Sequence, residues 1–161
     1  MPSLKRGVRV AVARFSRTKF FRSVGPTIMP PLERVTAALT RSNRPLSGYL
    51  VPSLVLHTIG AKSGIERDTE LMYVPEDDRM LVTGSNFARD THPAWTGNLM
   101  KNPDAAVTIK GRRIPVRATI IPDDEREAVW EFIENQWPGY RGYERSSGRI
   151  LRIFRLTPTD R

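Results

Sequence analysis

The chain has 161 residues, 39% apolar and 27% charged, with a formal net charge of +9. That length allows one domain with an appendage, and a core that needs no covalent staples. Cysteine is absent and histidine occurs only at 57 and 92, which excludes disulfides, thiolate chemistry, iron–sulfur clusters and three-histidine metal sites, so redox chemistry requires a borrowed organic cofactor. No stretch reaches the roughly 20 apolar residues of a membrane-spanning helix.

The positive charge lies at the start. Residues 1–48 hold ten Lys or Arg and one acid, Glu33, whereas residues 49–161 hold sixteen of each sign. The chain reads as a basic arm, over 1–45, followed by a neutral body over 46–161. A nucleic-acid partner is not expected, because such domains carry the basic face on the folded body. Leu4, Val8, Val12 and Phe15 fall at helical spacing, with Lys5, Arg6, Arg9 and Arg17 free to face elsewhere. A basic amphipathic helix of this kind suits an anionic membrane surface, a transit peptide, or packing against the body.

A helix is predicted over 30–41 and a linker over 44–48. Strands follow over 50–58, 69–74 and 80–85, with a tight connection at 60–64 and a turn at 75–78. A short helix is predicted over 93–101, then a hairpin of strands 105–110 and 113–121 turning at Gly111. In its second strand Ile114, Val116, Ala118 and Ile120 alternate. A helix over 123–136 starts on three acids and carries Val129, Phe132 and Ile133 on one face. The last strand is predicted over 150–156. About six short, mostly antiparallel strands with flanking helices make an α+β protein built on a small split β-barrel, with the basic amphipathic helix added at the N-terminus. No Gly-x-Gly-x-x-Gly occurs, so a Rossmann nicotinamide site is not expected.

Three segments carry candidate chemistry. In Gly60-Ala61-Lys62-Ser63-Gly64-Ile65-Glu66-Arg67 a strand ends in a glycine-bracketed loop rich in donors. Gly60 and Gly64 permit positive φ, successive amides can converge on an anion, and Lys62, Ser63 and Arg67 add charge and a hydroxyl. The spacing is not that of a P-loop, and a strand rather than a helix follows, so the loop reads either as an anion site or as a plain hairpin turn with solvated charges. In Thr83-Gly84-Ser85-Asn86, followed by His92-Pro93-Ala94-Trp95 and Asn98, small polar residues end a strand before a helix. Gly84 would let a flat ring approach the backbone, and Ser85 and Asn86 could bond ring carbonyls. Trp95 suits a core as well as a pocket, and His92 before proline reads as structural. Trp137-Pro138-Gly139-Tyr140-Arg141-Gly142-Tyr143 reads as a mobile aromatic wall over a pocket or as an ordinary surface loop.

In this order and spacing, these segments, with Leu99 and Asn102-Pro103, resemble the deazaflavin (F420)-dependent nitroreductases and quinone reductases of actinobacteria. The resemblance covers roughly residues 46–157. It implies a split barrel that binds coenzyme F420 and passes hydride to a quinone, a nitroaromatic or a similar acceptor. The loop Ala61–Gly64, through Lys62 and Ser63, and Arg67 would hold the phosphate or tail. Ser85 and Asn86 would line the ring, and Trp95 and Asn98 would support that pocket. Met72, Ser85, Tyr140 and Tyr143 would face the acceptor, with Tyr140, Ser85 or a bound water as proton source. The chain departs from the family pattern at Ala61 (usually Arg), Glu70 (usually Pro), Thr96 (commonly Tyr) and Met72 (Tyr in some relatives). The expected location is cytoplasmic, and the basic arm would allow peripheral binding to the inner face of the membrane. Two alternatives share much of this pattern. One is a split-barrel oxidoreductase using flavin mononucleotide (FMN), and the other a non-catalytic cofactor- or lipid-binding module docked on membrane.

Overall fold

The computed structural model describes residues 52–137 and 139–159. The predicted basic helix and the helix over 30–41 lie outside them. Seven strands form, β1 (Ser53–Ile59), β2 (Glu66–Met72), β3 (Val74–Glu76), β4 (Arg79–Thr83), β5 (Asp104–Ile109), β6 (Arg112–Ile120) and β7 (Ile153–Pro158). Among the described residues three helices accompany them, α1 (Ala94–Lys101), α2 (Asp123–Gln136) and α3 (Gly142–Ser147), with a 3-10 turn at Asn86–Ala88. The strands make one sheet in the order β2-β1-β5-β6-β7-β4-β3. Every pairing is antiparallel. Only Tyr73 separates β2 from β3, yet they sit at opposite ends of the order, so the sheet must curl into a half-barrel.

Period-two alternation sorts the side chains onto two cores. On one face Leu54, Leu56, Val82, Val107, Val116, Phe154 and Leu156 pack with Trp95 and Leu99 of α1. On the other, Val74, Leu81 and Ile153 pack under Val129, Trp130 and Ile133 of α2. The hairpin β5–β6 turns through Lys110 and Gly111, both at positive φ, 50° and 80°, as a two-residue primed turn requires. Helix α2 has the predicted bounds, and Asp123, Asp124 and Glu125 occupy its positive end.

Several expectations need correction. The strand predicted over 69–74 is two strands. β2 begins at Glu66 because its charged residues lie on an exposed edge, where no apolar alternation marks a strand, and the turn predicted over 75–78 shrinks because Val74–Glu76 pairs with β4. The last strand starts at Ile153, where pairing with β4 begins, while Ile150 is 72% exposed. In α2 the buried aromatic is Trp130, at 0% exposure, whereas Phe132 is 37% exposed. Helix α3 was not expected, because Gly-Tyr-Glu-Arg-Ser-Ser has no apolar period and buries no residue fully.

Candidate active site

The β1–β2 loop is gripped by α1. Asn98 accepts the Ala61 amide at 2.9 Å and donates to the Thr58 hydroxyl at 3.0 Å. Lys101 Nζ donates to the Ala61 carbonyl at 2.6 Å, and Asn102 donates to the Ile59 carbonyl at 3.3 Å. Within the loop the Gly60 amide bonds Ile65 O and the Gly64 amide bonds Gly60 O, both at 2.8 Å. Ser63 Oγ accepts the Ile65 amide. The expected convergence of amides is thus narrowed, since four are committed within the protein and those of Lys62 and Ser63 remain. Gly64 does adopt positive φ, at 67°, but Gly60 does not. A Cβ at Gly60 would lie 2.5 Å from Ser63 Oγ and 3.2 Å from the Ile65 carbonyl, so Ser63 would have to turn away. The Lys62 and Arg67 side chains are exposed and make no ion pair among the described residues. Cations and amides without partners among the described residues suit an anionic group.

The loop after β4 touches the same helix. A Cβ on Gly84 would lie 2.9 Å from Thr96 Cγ2, with Pro93 Cδ and the Arg152 carbonyl within 3.5 Å. Protein atoms therefore fill the space that the sequence reading left for a flat ring, and Gly84 serves the packing of β4 against α1. Asn86 and Ala88 adopt positive φ, at 46° and 60°. Such residues cost about 1–3 kcal/mol each and persist only where their surroundings hold them. Asn86 Nδ2 donates to Thr91 O at 2.9 Å. Arg149 donates to the carbonyls of Arg89 (2.8 Å), Ser85 (3.0 Å) and Gly84 (3.5 Å). It also donates to His92 Nδ1 at 2.9 Å. His92 is therefore structural, and burial with Arg152 and Arg149 nearby holds its imidazole below the usual range. Trp95 is buried against Phe154, ring centroids 5.9 Å apart. Trp95 and Asn98 stand behind the two loops rather than at the surface.

Tyr140 and Tyr143 meet edge to face at 5.4 Å, and with Met72 they pack against the α2 core. The described backbone of this segment is bonded to α2. Glu134 of α2 accepts the amides of Gly139 (2.9 Å) and Arg141 (2.6 Å), and Arg141 pairs with Glu127. The Tyr140 hydroxyl lies 3.5 Å from Ser85 Oγ, a long contact. Burial pushes its pKa up to about 12, with the Ser85 contact acting weakly against that shift. The phenol is thus neutral and a donor across the ordinary pH range.

Sequence reasoning missed Arg149, Glu134 and Asn102 as organisers of these loops. Lys101 alone had a local signal, lying three residues after Asn98 on the helix that faces the loop.

The curled antiparallel half-barrel with flanking helices is the split-barrel fold of the F420-dependent reductases. The model of the family "F420H(2)-dependent quinone reductase" matches residues 32–158. The F420H(2)-dependent quinone reductase Rv1261c of Mycobacterium tuberculosis is 30% identical over 133 residues, covering 78% of this chain and 89% of that protein. Among solved structures, an F420-H2 dependent reductase, FDR-A, superposes with a TM-score of 0.58 at 29% identity, covering 65% of this chain and 93% of that one. A domain-swapped dimer superposes at 0.59 with 26% identity, covering 78% and 98%. The chain belongs to the F420H(2)-dependent quinone reductase family. It is a deazaflavin-dependent oxidoreductase and its cofactor is coenzyme F420.

Proposed function

We propose that this protein reduces a quinone with hydride from reduced F420, and that α1 organises the site. The observation that carries this reading is that α1 contacts both loops. Asn98 holds the loop with the exposed Lys62 and Arg67, while Thr96 packs at Gly84, next to Ser85. A cofactor with an anionic tail and a flat ring needs these two environments side by side. Lys62, Ser63 and Arg67, with the Ala61–Gly64 backbone, hold the phosphate or tail. Ser85 and Asn86 line the ring. Met72, Tyr140 and Tyr143 form the acceptor wall.

F420 supplies a hydride when bound, and the protein holds its ring against the acceptor and limits competing water. Quinone plus hydride plus proton gives quinol, so one proton must be delivered. The Tyr140 hydroxyl, on the acceptor wall and 3.5 Å from Ser85 Oγ, is the donor for the developing quinol oxygen. The test is steady-state reduction of a soluble menaquinone analogue and of a nitroaromatic by wild type and Tyr140→Phe. The expected result is preference for the quinone, with turnover in the variant lower by about tenfold or more and F420 affinity kept. Unchanged turnover would remove Tyr140 from proton delivery, and preference for the nitroaromatic would overturn the quinone assignment.

The basic arm belongs to the same proposal. A lipid-soluble quinone resides in the bilayer, and a peripheral basic segment brings the site to it. No helix among the described residues is long and apolar enough to cross a membrane.

A further inference from the structure

We propose that Arg149 is a positioning residue for the cofactor, acting through the backbone of residues 84–92. The inference rests on the reading of Ser85 and Asn86 as ring contacts. The loop leaves β4 at Gly84 and reaches α1 at Pro93, and between them only the short 3-10 turn gives it regular structure. Its internal ties are few. Asn86 Nδ2 reaches Thr91 O, the Ser85 amide bonds Thr83 O, and the turn closes through the Ala88 and Arg89 amides. Two of its non-glycine residues, Asn86 and Ala88, sit at positive φ. A loop so strained needs an outside brace.

Arg149 supplies that brace. One guanidinium spans both ends of the loop: Nη2 donates to Ser85 O, Nη1 to His92 Nδ1 and in a long contact to Gly84 O, and Nε to Arg89 O. Only arginine offers five donors in a planar fork, and an ammonium cannot reach divergent acceptors from one point. A guanidinium has no acceptor, so His92 Nδ1 must carry the lone pair and Nε2 the proton. The brace also joins the two halves of the site. Arg149 follows Gly148, which ends α3 at φ 65°, and α3 carries Tyr143. Glu144 of α3 accepts the Leu151 amide at 2.8 Å and so anchors the far side of the segment. A shift of Arg149 would therefore move the ring loop relative to the aromatic wall.

The test uses the full chain and two readouts that need no turnover. The first is the dissociation constant of oxidised F420, read by fluorescence titration. The second, in the cofactor-free protein, is the tautomer of His92 by NMR together with amide exchange over 84–92. With two histidines in the chain, assignment is direct. Arg149→Ala is expected to weaken F420 binding by about tenfold, to speed exchange in the loop, and to release His92 from the Nε2–H tautomer. Arg149→Lys, which keeps the charge and is the safer variant for folding, is expected to restore binding only in part. Unchanged affinity and unchanged loop exchange in both variants would overturn the proposal, as would full rescue by lysine. Asn86→Ala separates this failure from failure of the underlying reading. If that variant also binds normally, the ring is not at Ser85 and Asn86. If it binds weakly while Arg149→Ala binds normally, only the brace is wrong.

Discussion

At the scale of single residues, the polar groups of the site are set by what surrounds them. Tyr140 carries a neutral phenol, as tyrosine does at its ordinary value of 10, and burial pushes that value further up, to about 12. His92 is an acceptor because Arg149 and Arg152 lie beside it and burial disfavours its charged form. The folded protein therefore resists protonating His92, while the unfolded chain takes up that proton near the ordinary value of 6.5. Where the unfolded state binds more protons, stability falls as the pH drops. Stability to denaturant is expected to be full above 6.5 and to decline as the pH falls below it. The decline should be smaller in His92→Asn, whose side chain cannot take up a proton. Denaturant titrations of both proteins between neutral pH and about pH 5 check this. Equal slopes would mean that His92 titrates alike in both states.

At the scale of elements, α1 is the organiser. Trp95 and Leu99 bury one side of it in the barrel core, which sets the helix where Thr96 meets Gly84 and Asn98 meets Ala61. Asn98 itself is 8% exposed, and both groups of its amide are used. Asn98→Leu keeps the shape but strands the Ala61 amide and the buried Thr58 hydroxyl. The expected cost is about 2–4 kcal/mol of folding stability, together with weaker F420 binding as the Lys62 loop loosens. Thermal unfolding and F420 titration would measure the two effects. Loss of stability with unchanged affinity would mean that the loop holds its form without this clasp. Arg155 does comparable work at the sheet edge, tying β7 to Glu76 of the short strand β3 and to Glu125 of α2.

At the scale of the whole molecule, charge is divided between a basic first third and a neutral remainder. The proposed consequence is binding to anionic vesicles that weakens with salt, since polybasic attraction is screened over roughly 8–10 Å at moderate ionic strength. Deleting residues 1–25 should abolish vesicle binding and leave F420 affinity in place. Co-sedimentation with vesicles rich in acidic lipid tests this, and equal sedimentation of the truncated chain would remove the arm from membrane docking.

Local chemistry in the sequence by itself determined a good part of this protein. Three acids and an apolar stripe set α2 at Asp123–Gln136, Gly111 marked the hairpin, and the lack of cysteine excluded thiolate and cluster chemistry. The glycine-bracketed loop with Lys62 and Arg67 was legible because turn residues and charge act over a few positions. The folded arrangement settled that Gly84 serves packing, that β2 and β3 are separate strands, and that Glu134 accepts the Gly139 and Arg141 amides. It also decided that one arginine braces a loop 57–65 residues away in the chain. These depend on contacts between distant segments, and a distant contact leaves no period, cap or turn signal in the residues that make it. Arg149 reads as one surface arginine among many until the curl of the sheet brings the start of β7 beside the end of β4.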